Sequence, residues 1–175
     1  VGGGGAGWGG GGGPGGWVGP APCSRGWDDT DGARSGARVR GAPPVGDAGN
    51  RDLLGGARLG GRMDLVASDH SPCPAADKDR GRDDIFAAWG GVSGAQSLLP
   101  ALLTDARRRS DGLDLCAVLG FLAWRLAAKP AQRFGLWPRK GTLAVGSDAD
   151  VTLVDVGRTW TLAAADVQTR SGRTP

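Results

Sequence analysis

Ser68-Asp69-His70-Ser71-Pro72-Cys73 follows directly on the apolar run Leu65-Val66-Ala67. A run of that length, over residues 63–68, reads as a short buried strand. A strand that ends in Asp-His sets a carboxylate at the rim of a sheet. Barrel enzymes keep catalytic groups at such a rim, because the strand holds the carboxylate still while the following loop reaches substrate. An ionised carboxylate there can ligate a hard cation and can also take up a proton. The plainer role for one Asp after a strand is that of a helix N-cap or turn former. His70 is the sole histidine among 175 residues, so the chain cannot build a histidine-rich metal centre alone. Side chains alternate along a strand, so those of Asp69 and His70 point apart and are not expected to grip one ion. Orienting the loop, or a hydrogen bond behind the ligands, suits His70 better.

Three further positions bear on binding. The Ser71 hydroxyl can hydrogen-bond a substrate or cap the turn. Gly90 and Gly91, after Ala88-Trp89, let a backbone approach a flat ring closely, or else simply punctuate a helix. Cys73, set between Pro72 and Pro74 without a thiol partner in spacing, reads as a small packing residue.

The elements around these residues follow from pattern. Residues 85–89 begin a helical patch that Gly90-Gly91 ends. Residues 97–109 read as a helix kinked near Pro100, whose Arg107-Arg108-Arg109 end complements the helix dipole as a solvated terminus. Leu115, Val118, Leu119, Leu122 and Leu126 recur at helical spacing and mark a core-facing stripe, on a helix expected to stop before Pro130. Beyond it the period changes to that of strands, with 142–145 and 151–155 flanking the turn cluster Gly146-Ser147-Asp148-Ala149-Asp150. That change sets a boundary between residues 42–138 and 139–175. Upstream, Pro43-Pro44 forces an extended backbone, and a helix over 50–60 is interrupted by Gly55 and Gly56, each costing about 1 kcal/mol against Ala.

Residues 1–41 hold half of the 34 glycines. Glycine has no side chain to bury and the most backbone entropy to lose, so this low-complexity stretch is expected to be disordered by itself. Trp8, Trp17 and Trp27 stand isolated, without strand or helical period. Gly, Ala, Arg, Pro and Trp all have codons rich in G and C, and the chain has 7 Trp but no Tyr. A shifted reading frame in GC-rich DNA accounts for that composition.

Composition narrows the function classes. A net charge of +3, from 21 basic and 18 acidic residues, comes without a dense basic stripe, and Arg25-Gly26 and Arg40-Gly41 are not repeated units. Nucleic acid is therefore not the expected partner. Cys23, Cys73 and Cys116 form an odd, widely spaced set that suits a reducing cytosol better than a disulfide framework. The apolar run 115–124 is about half the ~20 residues that span a bilayer, and no signal peptide opens the chain.

With these segments in view, residues 42–175 resemble the C-terminal part of the cyclic amidohydrolases, and within them the allantoinase family. Ala42-Pro43-Pro44-Val45 followed by Asp47 and Asn50-Arg51 is similar to the family's Pro-Pro loop and next helix. Asp64 to Cys73 resembles its last barrel strand with the metal-binding aspartate. Ala88-Trp89-Gly90-Gly91-Val92 is similar to the loop over the substrate. Lys129-Pro130-Ala131 with Phe134-Gly135-Leu136 resembles the helix leading out of the barrel. Lys140-Gly141-Thr142 through Asp150 is similar to the strand–turn–strand of the small β domain. Departures cluster upstream of Met63, where Gly46, Gly49, Gly55, Gly56, Arg58 and Gly60 stand in place of larger, apolar or acidic residues.

The resemblance implies an α/β fold: an incomplete TIM barrel, with its last strand and flanking helices in 42–138, plus part of a small β-sandwich in 139–175. It implies a centre of two divalent metals, commonly zinc, bridged by hydroxide and a carbamylated lysine, with Asp69 as metal ligand and catalytic carboxylate. The other ligands and that lysine are not in this chain, so the chain is expected to be a fragment without turnover of its own. Ser71, Gly90 and Gly91 would bind substrate. The implied reaction opens the hydantoin ring of allantoin to allantoate, in a cytoplasmic homo-oligomer, a tetramer. Hydantoinase or dihydropyrimidinase activity, or a non-catalytic scaffold, is the alternative.

Overall fold

A computed structural model of the chain describes residues 17–18, 35–41, 46–49, 52–53, 63–109 and 114–171. Most of the glycine-rich stretch, the Pro43-Pro44 loop and all but Asp52 and Leu53 of the helix expected over 50–60 lie outside the described residues. Strand β1 (Trp17–Val18) pairs in parallel with β2 (Leu65–Val66), Trp17 opposite Leu65 and Val18 opposite Val66. Trp17, expected to belong to no strand, therefore does. Pairing uses backbone groups that every residue but proline carries in full, and a partner almost fifty residues away leaves no local period to read.

β2 is anchored by Val66, which is 5% exposed and packs with Leu102, Leu103, Ala106, Val118 and Leu122. Those residues come from α2 (Leu98–Arg109) and α3 (Leu115–Ala123), while α1 (Ala75–Asp79) lies between β2 and α2 in sequence. The core stripe of α2 falls at i, i+1 and i+4, one face of a helix. Pro100 sits in the first turn of α2, where a missing N–H leaves no intrahelical acceptor unpaired, so no kink is needed in mid-helix. α3 opens on Asp114, whose carboxylate accepts from the Cys116 N–H at 3.1 Å and caps the helix. Of the predicted stripe, Val118 and Leu122 are buried, Leu119 and Leu126 pack against the core from its edge, and Leu115 is exposed.

The helix does not stop before Pro130. α3 runs into a π-helical segment, Trp124–Ala128, and on into α4 (Lys129–Arg133). Proline lacks the N–H for an α-helical bond to residue 126, and its ring crowds that carbonyl. The wider π turn, closed by the Lys129 N–H on the Trp124 carbonyl, lets the chain continue past both problems. The π segment also packs against β2.

Beyond α4 the expected sandwich strands are absent. Residues 142–145 and 151–155 carry no strand among the described residues, and the only regular element there is a 3-10 turn, Ala164–Asp166. A strand is stable only with a partner to take up its backbone groups and cover its apolar face. Here Leu143 is 72% exposed, Leu153 is 92% exposed and Val145 is fully exposed. The turn cluster between them does form. Asp148 donates its N–H to the Arg139 carbonyl at 2.8 Å, and Lys140 Nζ reaches the Asp148 and Asp150 carboxylates at 2.9 and 2.5 Å. Gly141, at φ +84, lies against the helix: a Cβ there would stand 2.7 Å from the Ala131 Cβ. Farther on, the Gln96 side chain donates to the Asp166 carbonyl at 2.8 Å and accepts from the Gln168 N–H at 2.9 Å. Arg107, expected at a solvated helix end, donates to the Val156 carbonyl at 2.5 Å.

Leu102 is 2% exposed, so Leu102→Ala is expected to destabilise the fold by about 3 kcal/mol. Val145→Ala, on the exposed strip, should change stability by less than ~0.5 kcal/mol. Urea midpoints of the two variants check the contrast. The Lys140 hydrogen bond and charge hold the Asp148 carboxyl below its ordinary range, and the Asp150 and Asp148 carboxylates raise Lys140. The stabilisation from Asp148 is thus present above the ordinary carboxylate range and lost as pH falls through the lowered value. That from Lys140 is present below the ordinary amine range and lost as pH rises through the raised one. Hydrogen-exchange protection of the Asp148 amide is expected to fall off in both directions.

Candidate functional site

Asp69 lies three residues beyond Val66, where β2 has ended and the chain turns. Its backbone takes φ +46, the one non-glycine residue in the left-handed region among those described. Aspartate tolerates that region better than most residues, yet the conformation still costs about 1 kcal/mol and persists only where its surroundings impose it. The carboxylate is exposed and has no hydrogen bond or ion pair among the described residues. It caps no helix and closes no turn, the two plainer uses of an Asp after a strand.

The surroundings that impose this conformation come from residues 90–95. Ser71 donates its N–H to the Val92 carbonyl at 3.0 Å. One residue earlier, His70 Nδ1 accepts from the N–H groups of Gly94 and Ala95, each at 3.1 Å. Gly91 is buried against Ser71: a Cβ on Gly91 would stand 2.2 Å from the Ser71 Oγ and 2.8 Å from its carbonyl oxygen. Of the sequence-predicted site residues, the structure thus brings Asp69, Ser71, Gly90 and Gly91 into one pair of apposed loops. Gly91 admits the Ser71 backbone there, and Gly90 beside it is partly exposed.

A second set of contacts holds the segment leading into the Gly90-Gly91 loop. Lys78, on α1, is buried, and its ammonium donates to the Arg40 and Trp89 carbonyls, both at 2.8 Å. Arg40 in turn donates from its guanidinium to the Ala88 carbonyl. Asp77-Lys78-Asp79 looks like an ordinary solvated charge run in the sequence, and nothing there marks the middle residue as buried. Cys73 is a free thiol whose pKa is raised, first by burial, then by the Asp77 charge, against an opposing pull from Lys78. Such a thiol is a poor nucleophile at neutral pH, in keeping with a packing role.

Beneath β2, Arg125 is buried in the π segment with its guanidinium 4.0 Å from the Phe121 ring centroid. Burial lowers its pKa and the Asp64 carboxylate raises it. Its Nε has no hydrogen-bond partner. The sequence offered no signal for this residue beyond its place in an apolar run.

The donor chemistry fits a cation in one respect. Asp69 offers a hard, unencumbered carboxylate of the kind that zinc or another divalent ion accepts. Among the described residues no group of three His, Cys, Asp or Glu side chains converges. Asp69 therefore fits as one contributor to a centre, and the described residues do not form a centre by themselves.

No protein-family profile matches the chain. Sequence relatives do. An allantoinase of Deinococcus radiodurans is 46% identical over 130 residues, covering 74% of this chain and 27% of that protein. The allantoinase of Solibacter usitatus is 48% identical over 123 residues, 70% of this chain and 25% of its own length. The chain is a homologue of the allantoinases. A third allantoinase, from Rubrobacter xylanophilus, extends the match to 84% of the chain at 42% identity. The chain spans about a quarter to a third of the length of these allantoinases. Among solved structures, L-hydantoinase (dihydropyrimidinase) from Arthrobacter aurescens superposes with a TM-score of 0.66 at 36% identity, over 74% of this chain and 28% of that one. D-hydantoinase (dihydropyrimidinase) from Thermus sp. gives 0.62 at 32% identity, over 70% and 26%. The homologues are hydrolases of one amidohydrolase superfamily, and the described fold of this chain is that of a portion of them.

Gly91→Ala tests the loop contact directly. The added methyl cannot fit against the Ser71 backbone, so the substitution is expected to destabilise the fold by about 2 kcal/mol. Amide resonances of Asp69, Ser71 and Val92 should shift, while those of α3 stay in place. Two-dimensional NMR of the variant reads both.

Proposed function

We propose that this chain carries the carboxylate-bearing portion of an allantoinase-like, metal-dependent cyclic amidohydrolase, which opens the hydantoin ring of allantoin to allantoate. One observation carries the reading most strongly. Asp69, inside a segment that matches allantoinases at 46–48% identity, holds on a left-handed backbone a carboxylate with no partner among the described residues. A conformation with that cost, at a residue whose side chain has no partner among the described residues, supports a role for it in chemistry.

In this reading one Asp69 oxygen would hold a divalent cation, with zinc the expected ion and two per complete centre. When bound, such an ion supplies Lewis acidity and a water that ionises near neutrality. Asp69 itself handles the proton. Its second oxygen takes the proton of the attacking water as the ring carbonyl becomes tetrahedral, then delivers it to the departing ring nitrogen as the C–N bond breaks. The same carboxylate serves as base and then acid, so no second titrating group is needed on this loop. Ser71 and Gly90 face the ring as hydrogen-bonding groups, and Gly91 keeps the two loops close enough to share one substrate. The remaining ligands, the carbamylated lysine among them, come from sequence that the allantoinases carry and these 175 residues do not. β2 then stands as the last strand of a TIM barrel, within a cytoplasmic homo-oligomer, a tetramer. Residues 139–175, which carry no strand among the described residues, would complete part of a small β-sandwich only beside partner strands from the rest of the enzyme.

A second reading, ring opening of other hydantoins or dihydropyrimidines, is favoured by the hydantoinase structures that superpose on the chain. The two separate on substrate. Grafted into the Deinococcus allantoinase in place of the matching segment, this chain is expected to support ring opening of allantoin in preference to hydantoin or dihydrouracil. Asp69→Asn in that chimera should lower kcat by about 10³-fold, within the usual range for losing a general acid–base group. A drop smaller than about tenfold would remove Asp69 from the chemistry. Among the described residues no helix is long and apolar enough to cross a membrane.

A further inference from the structure

We propose that His70 is a positioning residue and not a metal ligand: its Nδ1 lone pair clamps the 90–95 loop beside Asp69. The functional meaning of the clamp rests on the reading of Asp69 as the reacting carboxylate, while the clamp itself stands on geometry alone.

His70 Nδ1 lies 3.1 Å from the Gly94 nitrogen and 3.1 Å from the Ala95 nitrogen, and both are backbone donors. One lone pair receiving two N–H groups must be unprotonated, so the neutral ring carries its hydrogen on Nε2. In that form neither ring nitrogen has a free lone pair to offer a cation. Gly94 is buried, so without His70 its N–H would lose its acceptor inside the protein, a costly loss. The imidazole thus satisfies a buried donor 24 residues away and fixes where that donor's loop lies.

The clamp belongs to a series. His70 holds Gly94 and Ala95, Ser71 holds the Val92 carbonyl, and Gly91 accepts the Ser71 backbone at a distance no larger residue allows. Three hydrogen bonds and one close packing contact, all made at two adjacent residues, stitch one loop to the other. Asp69 sits immediately before the first stitch, at φ +46, and its own carboxylate has nothing to hold it among the described residues. Its direction is therefore set through its neighbour, and His70 is the only side chain in the series that could be replaced without altering the backbone.

Because His70 is the only histidine, its ring nitrogens can be read without ambiguity in the ¹⁵N-labelled chain. At mildly alkaline pH, two-bond ¹⁵N–¹H correlations are expected to show the neutral tautomer protonated on Nε2. The tautomer protonated on Nδ1 would overturn the proposal. Adding Zn²⁺ should leave that pattern unchanged, whereas loss of the Nε2 proton to the ion would make His70 a ligand and overturn it too. In His70→Leu the amides of Gly94 and Ala95 are expected to exchange about tenfold faster, with those of Leu102 and Leu103 unchanged. His70→Asn, whose Oδ1 occupies the place of Nδ1 as an acceptor, should bring both rates back to within about threefold of the original. Unchanged exchange in the Leu variant, or no recovery in the Asn variant, would refute the clamp. Should the Leu variant lose protection throughout α2, the tautomer of the unaltered chain still decides. None of these measurements involves turnover, so failure of the hydrolase reading leaves the clamp standing, and failure of the clamp leaves the test of Asp69 intact.

Discussion

The hydrogen bond from the Ser71 N–H to the Val92 carbonyl is the contact on which the local architecture turns. It joins the loop after β2 to the loop before α2, and it forms only because Gly91 leaves room for the Ser71 backbone. Everything that gives Asp69 its character follows from that approach. The strand behind it is pinned by Val66 in the helical core, the loop ahead is pinned by Ser71, and the residue between them is left in a left-handed turn with its carboxylate facing out. The carboxylate so placed is exposed and has no hydrogen-bond or ion-pair partner among the described residues.

The helical scaffold shows how the strand is held still. α2, α3 and the π segment pack on β2 from one side, and the π segment exists because Pro130 forbids an ordinary turn. The widened helix brings Arg125 under the strand and over the Phe121 ring, where a cation is stacked and desolvated with its Nε unpaired. The segment leading into the Gly90-Gly91 loop is tied down by Lys78, whose ammonium bridges two carbonyls from segments far apart in sequence. Buried cations that serve backbone carbonyls act as spacers of fixed length. Here Lys78 does so, fixing the spacing of the Arg40 and Trp89 carbonyls.

What the sequence made legible was which residues lie together on these loops. Asp69, Ser71, Gly90 and Gly91 could be singled out because residue type and order carry the message, and they fall together in space. The helix over 98–109 and the stripe through Val118 and Leu122 were likewise readable, since a helix is a local structure with a local period. Features that depend on distant partners were not. The strand at Trp17 has no periodic signature, the burial of Lys78 depends on carbonyls 11 and 38 residues away, and the passage through Pro130 depends on a change of helical register. The strands expected over 142–145 and 151–155 failed for the reverse reason. Their alternation is real, but alternation describes a face, and a face becomes a sheet only when another strand lies beside it.

Those uncovered stretches have a colloidal consequence. Leu143, Val145, Leu153 and Val154 form short β-branched and aliphatic runs open to solvent, the type of sequence that seeds cross-β stacking between molecules. Asp148, Asp150 and Asp155 interrupt or flank them, and Lys140 adds a charge of opposite sign at the same turn. Charged residues flanking an uncovered apolar run oppose such stacking in general, and Asp148, Asp150 and Lys140 occupy such places here as an ion-paired cluster. The charges that shape this turn then bear on how two molecules meet as well as on how one folds.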